Sequence, residues 1–203
     1  NTEQLRLEKD LSRFESRKEA LNESRGSYAL RILLEAGLEG IHGYVAQLGE
    51  VSEKNRYALE IAAGNRLGQI VVDNDHIAAK AIEILKKKKA GRLTFLPLNR
   101  IKSQKKNYAI SRFENNREPG FIDKAINLIT FDEVYSDVFR YVFGDTLVFS
   151  DLASARLSKQ KIRLVTLGGE LLEASGAITG GSKLNKDLAY RFGVNNDLDE
   201  SSP

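Results

Sequence analysis

The sequence predicts a mixed α+β fold: two pseudo-repeated lobes, each a small sheet flanked by helices, with N- and C-terminal antiparallel coiled-coil stumps. Three observations predict it. Short apolar runs rich in Val, Ile and Leu alternate with alanine-containing amphipathic stretches, as strands alternate with helices. The block from about residue 27 to 101 is loosely repeated by the block from 119 to 182. Both ends of the chain carry apolar residues at heptad-like spacing amid charge. With 203 residues, the chain is long enough for one large domain or two small lobes with a real core.

The elements follow in order. Residues 1–26 read as an arm stump. Leu7, Leu11, Phe14, Lys18 and Leu21 follow a 4-3-4-3 spacing with one polar interruption. A coiled-coil seam and a single amphipathic helix lying on the domain both satisfy that pattern. The first lobe spans 27–101. Ala29 to Ala36 reads as a helix stopped by Gly37, and Gly43 to Leu48 as a strand. Ser52 caps a helix running through Ala63 and stopped by Gly64. Gln69 to Asp73 is a buried strand. Ile77, Ala81, Ile84 and Leu85 mark a helix, and Arg92 to Leu98 another strand. Residues 102–118 form a polar linker. The second lobe spans 119–182. Ala125 to Thr130 reads as a strand, and Asp132 caps a helix carrying Val134, Val138, Tyr141 and Val142, with Gly144 past its end. Thr146 to Ser150 is a strand, Leu152 to Lys159 a helix, Ile162 to Leu167 a strand. Residues 183–203 form a returning stump, with Leu184, Leu188 and Phe192 at 4-4 spacing, and a frayed tail. In the repeat, Gly64-Asn65 corresponds to Gly144-Asp145, Val71-Val72-Asp73 to Val148-Phe149-Ser150, and Arg92-Leu93 to Arg163-Leu164.

The second lobe ends in a run that keeps four glycines, spaced G-x6-G-x3-G-G: Gly169, Gly176, Gly180 and Gly181. Glycine weakens a strand, so its retention implies positive φ or close approach by another backbone or ligand. A phosphate loop is excluded by spelling. It needs Gly-Lys-Ser/Thr, and here Gly180-Gly181 is followed by Ser182-Lys183 in reverse order. An ordinary glycine-rich loop is the bland alternative.

Composition removes several chemistries. Cysteine is absent, so there is no disulfide frame, thiolate nucleophile or cysteine–zinc site. The two histidines, His42 and His76, cannot build a histidine-rich metal site. Asp73 and Asp75 form a D-x-D without the glycine and distal glutamate of a calcium loop, and helix capping is the role expected of Asp75. His42 reads as a structural residue in a turn, His76 as a surface residue at a helix start. Ser175-Gly176 is no nucleophile elbow. No catalytic site, metal or cofactor is expected. No apolar run approaches the ~18 residues of a membrane span, and a cytoplasmic location is expected. Methionine is absent even at position 1, so an excised piece of a longer protein is expected.

Net charge is only +3, so nucleic-acid binding needs local clustering. Lys86 to Lys89 with Arg92 is the densest run, but four successive lysines circle a helical turn and suit the macrodipole at a helix end. Arg100, Lys102, Lys105, Lys106 and Arg112 form a second cluster, and Lys183, Lys186 and Arg191 a third. Tyr108 and Phe113 can stack on bases, though packing is the role expected of them.

Several motifs now occur in one order: Gly40-Ile41-His42-Gly43; Tyr57-Ala58-Leu59-Glu60-Ile61-Ala62 with Gly64; Ile70-Val71-Val72-Asp73; Gly91-Arg92-Leu93-Thr94-Phe95-Leu96-Pro97-Leu98; and the glycine run. Together they resemble the hinge domain of SMC (structural maintenance of chromosomes) proteins, the bacterial chromosome-partition type in particular, over about residues 37 to 183. The resemblance implies a homodimerisation module joining two coiled-coil arms, the first lobe of one copy meeting the second lobe of the other. It places Gly169, Gly176, Gly180 and Gly181 at the dimer contact. It also implies non-specific DNA binding at phosphate, assigned first to Lys183 and Lys186 and next to Arg100, Lys102, Lys105 and Lys106. ATP hydrolysis and a kleisin-type partner would belong to absent head domains, and a nucleoid-associated location follows. The rival reading is a small α/β anion- or ligand-binding domain, possibly enzymatic, using the glycine loop.

Overall fold

The computed structural model describes residues 28–102, 118–182 and 190–193, with scattered positions between 4 and 13. Among the described residues there are two main sheets, joined by a small third one.

The first lobe begins with helical residues 28–35 (α1). Ala29 and Leu33, four apart, are buried in one cluster with Ala81 and Leu85, also four apart on α3 (Asp75–Lys88). Gly37, at φ +70°, ends α1. Its amide donates to the Leu34 carbonyl and that of Leu38 to the Leu33 carbonyl, the paired bonds of a Schellman turn. β1 (Ile41–Tyr44) pairs antiparallel with β3 (Ile70–Val72), and β3 pairs parallel with β4 (Phe95–Pro97), in the order β1-β3-β4. α2 (Glu53–Ala63) follows β2 (Gly49–Val51). Asn74, not the expected Asp75, caps α3: its side chain accepts the Ile77 amide at 3.0 Å. Ser52 stands at the N-cap of α2 without a side-chain bond.

The second lobe repeats this plan. β5 (Phe121–Lys124) pairs antiparallel with β7 (Leu147–Phe149), which pairs parallel with β8 (Leu164–Thr166). α4 (Ser136–Phe143) and α5 (Leu152–Leu157) stand in the places of α2 and α3. β9 (Leu171–Leu172) and β10 (Ile178–Thr179) extend the sheet to the order β10-β9-β8-β7-β5. The expected equivalence of Gly64 and Gly144 is a backbone identity. Their φ/ψ are 54°/−136° and 52°/−127°, and each amide closes onto the carbonyl four residues back. The ladders also break alike, between Ile41 and Gly43 and between Phe121 and Asp123. The Arg-Leu equivalence is shifted by two. Ile70 faces Phe95 as Leu147 faces Leu164, so Phe95, not Leu93, matches Leu164.

Two expected strands divide. Gly43 to Leu48 is the end of β1, a 3-10 turn at Val45–Gln47, then β2. Gly43 sits at φ +124°, and the Gln47 side chain accepts the Tyr44 amide at 2.9 Å, which turns the chain. Ala125 to Thr130 divides likewise into a 3-10 turn at Ala125–Leu128 and β6 (Ile129–Phe131), with the Asp123 carboxylate holding the Lys124 amide and the Asn127 side chain. These kinks let β2 and β6 leave their own sheets and pair with each other, Gly49 opposite Phe131 and Val51 opposite Ile129. Asp132 caps as expected, accepting the Val134 amide, but it opens a 3-10 turn (Glu133–Tyr135) ahead of α4.

The β2–β6 ladder, α2 and α4 enclose a shared core. It includes Leu59, Ala62, Val138, Phe139 and Phe143. Phe139 stacks on Phe131 with centroids 4.7 Å apart, and a Cβ at Gly49 would lie 2.8 Å from Phe139 Cζ. Each lobe also sends one arginine to the helix end of the other. Arg66 Nη1 donates to the carbonyls of Tyr141 and Val142 at 2.9 and 3.1 Å and lies 4.8 Å over the Tyr141 ring. Arg163 Nη1 donates to the Ala62 carbonyl at 3.1 Å. Both cations meet carbonyls that a helix leaves unpaired, where the macrodipole is negative.

The arm expectations fall mostly outside the described residues. Of the N-terminal seam, Leu7 and Leu11 are described, both helical and exposed. Phe192 corrects the returning seam. It lies in a turn, is 1% exposed and belongs to the shared core. Among the described residues no helix is long and apolar enough to cross a membrane.

Candidate dimerisation surface

The glycine run builds an exposed hairpin. β9 and β10 pair antiparallel, Leu172 opposite Ile178 and Leu171 opposite Thr179. Its root is fixed to both lobes. Arg163 grips Glu173 with two bonds, Nε to Oε2 at 3.1 Å and Nη2 to Oε1 at 3.0 Å, while its third arm reaches α2. The Thr166 hydroxyl donates to the Glu170 carboxylate, and the Thr166 amide to the Glu170 carbonyl. The four glycines then separate by role. Gly169, at φ +88°, lies against the Tyr57 ring of α2, where a Cβ would overlap the ring. Within one chain, therefore, it is one of the points where the second lobe meets the first. Gly176, at φ +98°, makes the hairpin turn, with the Glu173 amide donating to the Ala177 carbonyl at 2.8 Å, and a Cβ there would meet only open space. Gly180 passes over Glu170, whose Cγ lies 3.0 Å from its would-be Cβ, and Gly181, at φ +153°, is open.

β10 is the outer strand of its sheet, and residues 174–182 are exposed. Because Glu173 and Ala177 form a hydrogen-bonded pair, alternation turns the main-chain groups of Ile178 and Gly180 outward. Ile178 is 56% exposed. Among the described residues β4 is likewise an outer strand, of the first lobe's sheet. There the Thr94 carbonyl and Leu98 amide face β3, so Phe95 and Pro97 face outward. Pro97 has no amide hydrogen, and its carbonyl already accepts the amides of Arg100 and Ile101, both at 2.9 Å. Among the described residues, Phe95 thus holds the outward-facing donor and acceptor of β4.

The family model described as "SMC proteins Flexible Hinge Domain" matches residues 38–157. The chain belongs to the SMC hinge family. A chromosome partition protein Smc from a Synechococcus is 48% identical to this hinge over 191 residues, 94% of this chain and 16% of the relative. One from Methanocaldococcus jannaschii is 44% identical over 161 residues, 78% of this chain and 13% of the relative. The chain therefore spans about a sixth of the curated relatives' length. Among solved structures it is similar to an asymmetric dimer of the Geobacillus stearothermophilus SMC hinge domain (TM-score 0.69, 30% identity, 90% of this chain and 80% of that one). It is also similar to the Pyrococcus furiosus Smc hinge domain with an extended coiled coil (TM-score 0.68, 37% identity, 87% and 63% covered).

The basic residues of the hinge divide into two groups. Lys105, Lys106, Lys183 and Lys186 lie outside the described residues. Lys102 is exposed. Arg100 is engaged: its Nε and Nη2 bind Asp75 Oδ2 at 3.2 and 2.9 Å, while Asn99 Nδ2 binds Asp75 Oδ1 at 2.7 Å. The Asn99 hydrogen bond first, and Arg100 second, hold the Asp75 carboxyl below its ordinary range. Lys86 to Lys89 are exposed at the end of α3, the macrodipole position expected.

His42 sits in β1 rather than a turn and links the lobes. One ring nitrogen lies 2.7 Å from the Tyr135 hydroxyl, the other 2.6 Å from Asp73 Oδ1. A relay of acid, imidazole and hydroxyl has the form of a nucleophile-activating triad. Burial first, then the charges of Asp132 and Asp73, push the Tyr135 hydroxyl above its ordinary range, which disfavours the phenolate. Geometry and charge both make this relay a clamp between the lobes. Sequence reasoning had no access to the inter-lobe contacts of Arg66, Arg163 and Tyr57, or to the edge position of β4. Their partners are backbone or ring atoms supplied by the opposite lobe, or main chain left open by topology.

Proposed function

We propose that this hinge is a homodimerisation module joining two coiled-coil arms of a chromosome condensation and segregation ATPase. The observation that carries the reading is the pair of open strand edges on opposite lobes of one molecule, β10 and β4. Laying β10 of one copy along β4 of the other, twice about a two-fold axis, pairs the β10 and β4 edges of both copies and leaves β1 and β5 as the remaining outer strands. The outward main chain of Ile178 and Gly180 meets that of Phe95. Gly180 and Gly181 carry no side chain to hold the strands apart, and Gly176 shapes the hairpin that presents them. Gly169 acts one step back, seating the hairpin on Tyr57. The described ends support the same reading: Leu30 of α1 and Tyr190 pack on one cluster of the first lobe, so the chain enters and returns to the domain at one place. The rival anion-loop reading is disfavoured by Glu170, whose carboxylate lies 2.8 Å from a would-be Cβ at Gly168 and would repel an anion.

Light scattering is the test. The parent chain is expected to run as a dimer, and Gly180→Lys with Gly181→Glu as a folded monomer. An unchanged mass removes the role given to the glycines.

DNA binding is the secondary function, a salt-sensitive phosphate contact made first by Lys183 and Lys186, then by Lys102, Lys105 and Lys106. Arg100 contributes only when released from Asp75. Gel shifts at two salt concentrations check this: Lys183→Glu with Lys186→Glu should weaken binding, and unaffected binding rejects the assignment. ATP hydrolysis and a kleisin-type partner belong to the remainder of the longer protein.

A further inference from the structure

We propose that Arg163 is the positioning residue that makes the two docking edges of one molecule act as a unit, so that seating β10 on a partner also sets β4 of the same molecule for the second contact. The proposal rests on the edge pairing described above and adds its regulation. Arg163 directly precedes β8, and its guanidinium reaches both lobes at once. Nε and Nη2 hold the Glu173 carboxylate at 3.1 and 3.0 Å, and Nη1 donates to the Ala62 carbonyl at 3.1 Å. Glu173 is the first residue past β9, and its own amide donates to the Ala177 carbonyl to close the hairpin that carries β10. Ala62 is the next-to-last residue of α2, in the turn whose carbonyls a helix leaves unpaired. One rigid, planar cation therefore fixes the base of the hairpin to the other lobe's helix.

From α2 the connection runs on to β4. Ala62, Ala63 and Leu67 belong to one buried cluster with Leu96, the buried residue of β4. Val165 of β8 joins the same cluster, and Leu171 of β9 packs against it. Each strand of the hairpin is only two residues long, and residues 174–182 are exposed. A ribbon that short takes its direction from its base. The base has two arrangements. Seated, Arg163 makes all three bonds. Unseated, water replaces them, which the one-third exposure of Arg163 and Glu173 permits. A partner strand needs β10 held in its ladder with β9, so it binds the seated arrangement better and shifts the balance toward it. Seating fixes the end of α2 and, through the shared cluster, β4. The second contact then forms on an edge already ordered, and by linkage the effect is the same when β4 is met first. Dimers joined at one edge are therefore scarce beside those joined at two.

Hydrogen exchange followed by NMR, on the 203-residue chain carrying Gly180→Lys and Gly181→Glu, reads the coupling within one molecule. Arg163→Lys is the probe. It keeps a cation for Glu173, but one ammonium cannot hold Glu173 and Ala62 together. Three amides should exchange roughly tenfold faster: Glu173 in the hairpin, Gly64 at the end of α2 and Leu98 just past β4, with the β5–β7 ladder unchanged. Glu173→Gln, which leaves the Ala62 bond in place, should act at the same amides more weakly. Acceleration confined to the hairpin overturns the coupling, and so does an equal acceleration of every ladder, which is a plain loss of stability. With both glycines restored, Arg163→Lys should raise the dimer dissociation constant roughly tenfold in sedimentation, and an unchanged constant overturns the role in docking. A parent chain that stays monomeric refutes the edge pairing instead, and the exchange pattern still decides whether the hairpin and β4 are coupled.

Discussion

Replacing Gly169 with alanine tests whether this glycine serves the chain's own packing before it serves a second copy. Two costs follow from its surroundings. The residue sits at φ +88°, where an L side chain costs about 1–2 kcal/mol. Its new Cβ would overlap the Tyr57 ring, and moving a packed ring costs about 1–3 kcal/mol. Tyr57 is half-buried, so the lower end applies, and the whole change should destabilise folding by about 2–4 kcal/mol. Urea unfolding followed by circular dichroism reads this directly. Gly169→Ala combined with Tyr57→Ala should recover the steric part alone, a coupling of about 1–2 kcal/mol, leaving the backbone part. A loss under about 0.5 kcal/mol, or strictly additive single and double variants, would refute the argument that Gly169 seats the hairpin on α2.

Lys89→Gly should raise stability by about 1 kcal/mol in the same assay, because Lys89 ends α3 in the left-handed region at φ 51°, exposed, where glycine carries no penalty. Arg163→Met should lower it by about 1–2 kcal/mol, a figure already reduced for the pair's one-third exposure, since it strips Glu173 of both bonds and Ala62 of its donor. The Asp75 carboxyl is held below its ordinary value of 3.8, so its contribution is present above that value and fades as pH falls through the lower folded-state one. Asp75→Asn should flatten the acid limb of stability against pH, and an identical limb in parent and variant sinks the assignment.

Much of the fold was legible where one residue type has one physical use. Gly37, Gly64 and Gly144 stop helices as their spacing implied, and Asp132 caps as its position implied. The buried strand around Val71 is a β-branched run and the one around Val148 an apolar run, and both lie where expected. β1 and β5 were hidden because the apolar pattern runs on through the 3-10 turns, and what bends the chain is a side-chain bond from Gln47 or Asp123. Phe192 shows the limit of periodicity. Its spacing from Leu188 suits a helical seam, but a buried carboxylate from another element claims its amide. The glycine run pointed to a contact surface, yet only the ladder order reveals that Gly169 faces inward while Ile178 and Gly180 face out.

The β2–β6 ladder has a consequence for assembly geometry. A molecule with two unlike sticky margins can link to its neighbours without end, giving a fibre, or meet one neighbour twice and stop. Which outcome prevails depends on the angle between the margins. Three residue pairs at the ladder and two crossed guanidinium groups, Arg66 and Arg163, are among the contacts that hold that angle, with the shared core and the His42 clamp. If copies pair by the edges proposed above, weakening them should do more than loosen a monomer: it should change a self-limiting pair into an open-ended polymer, visible as turbidity rather than as unfolding.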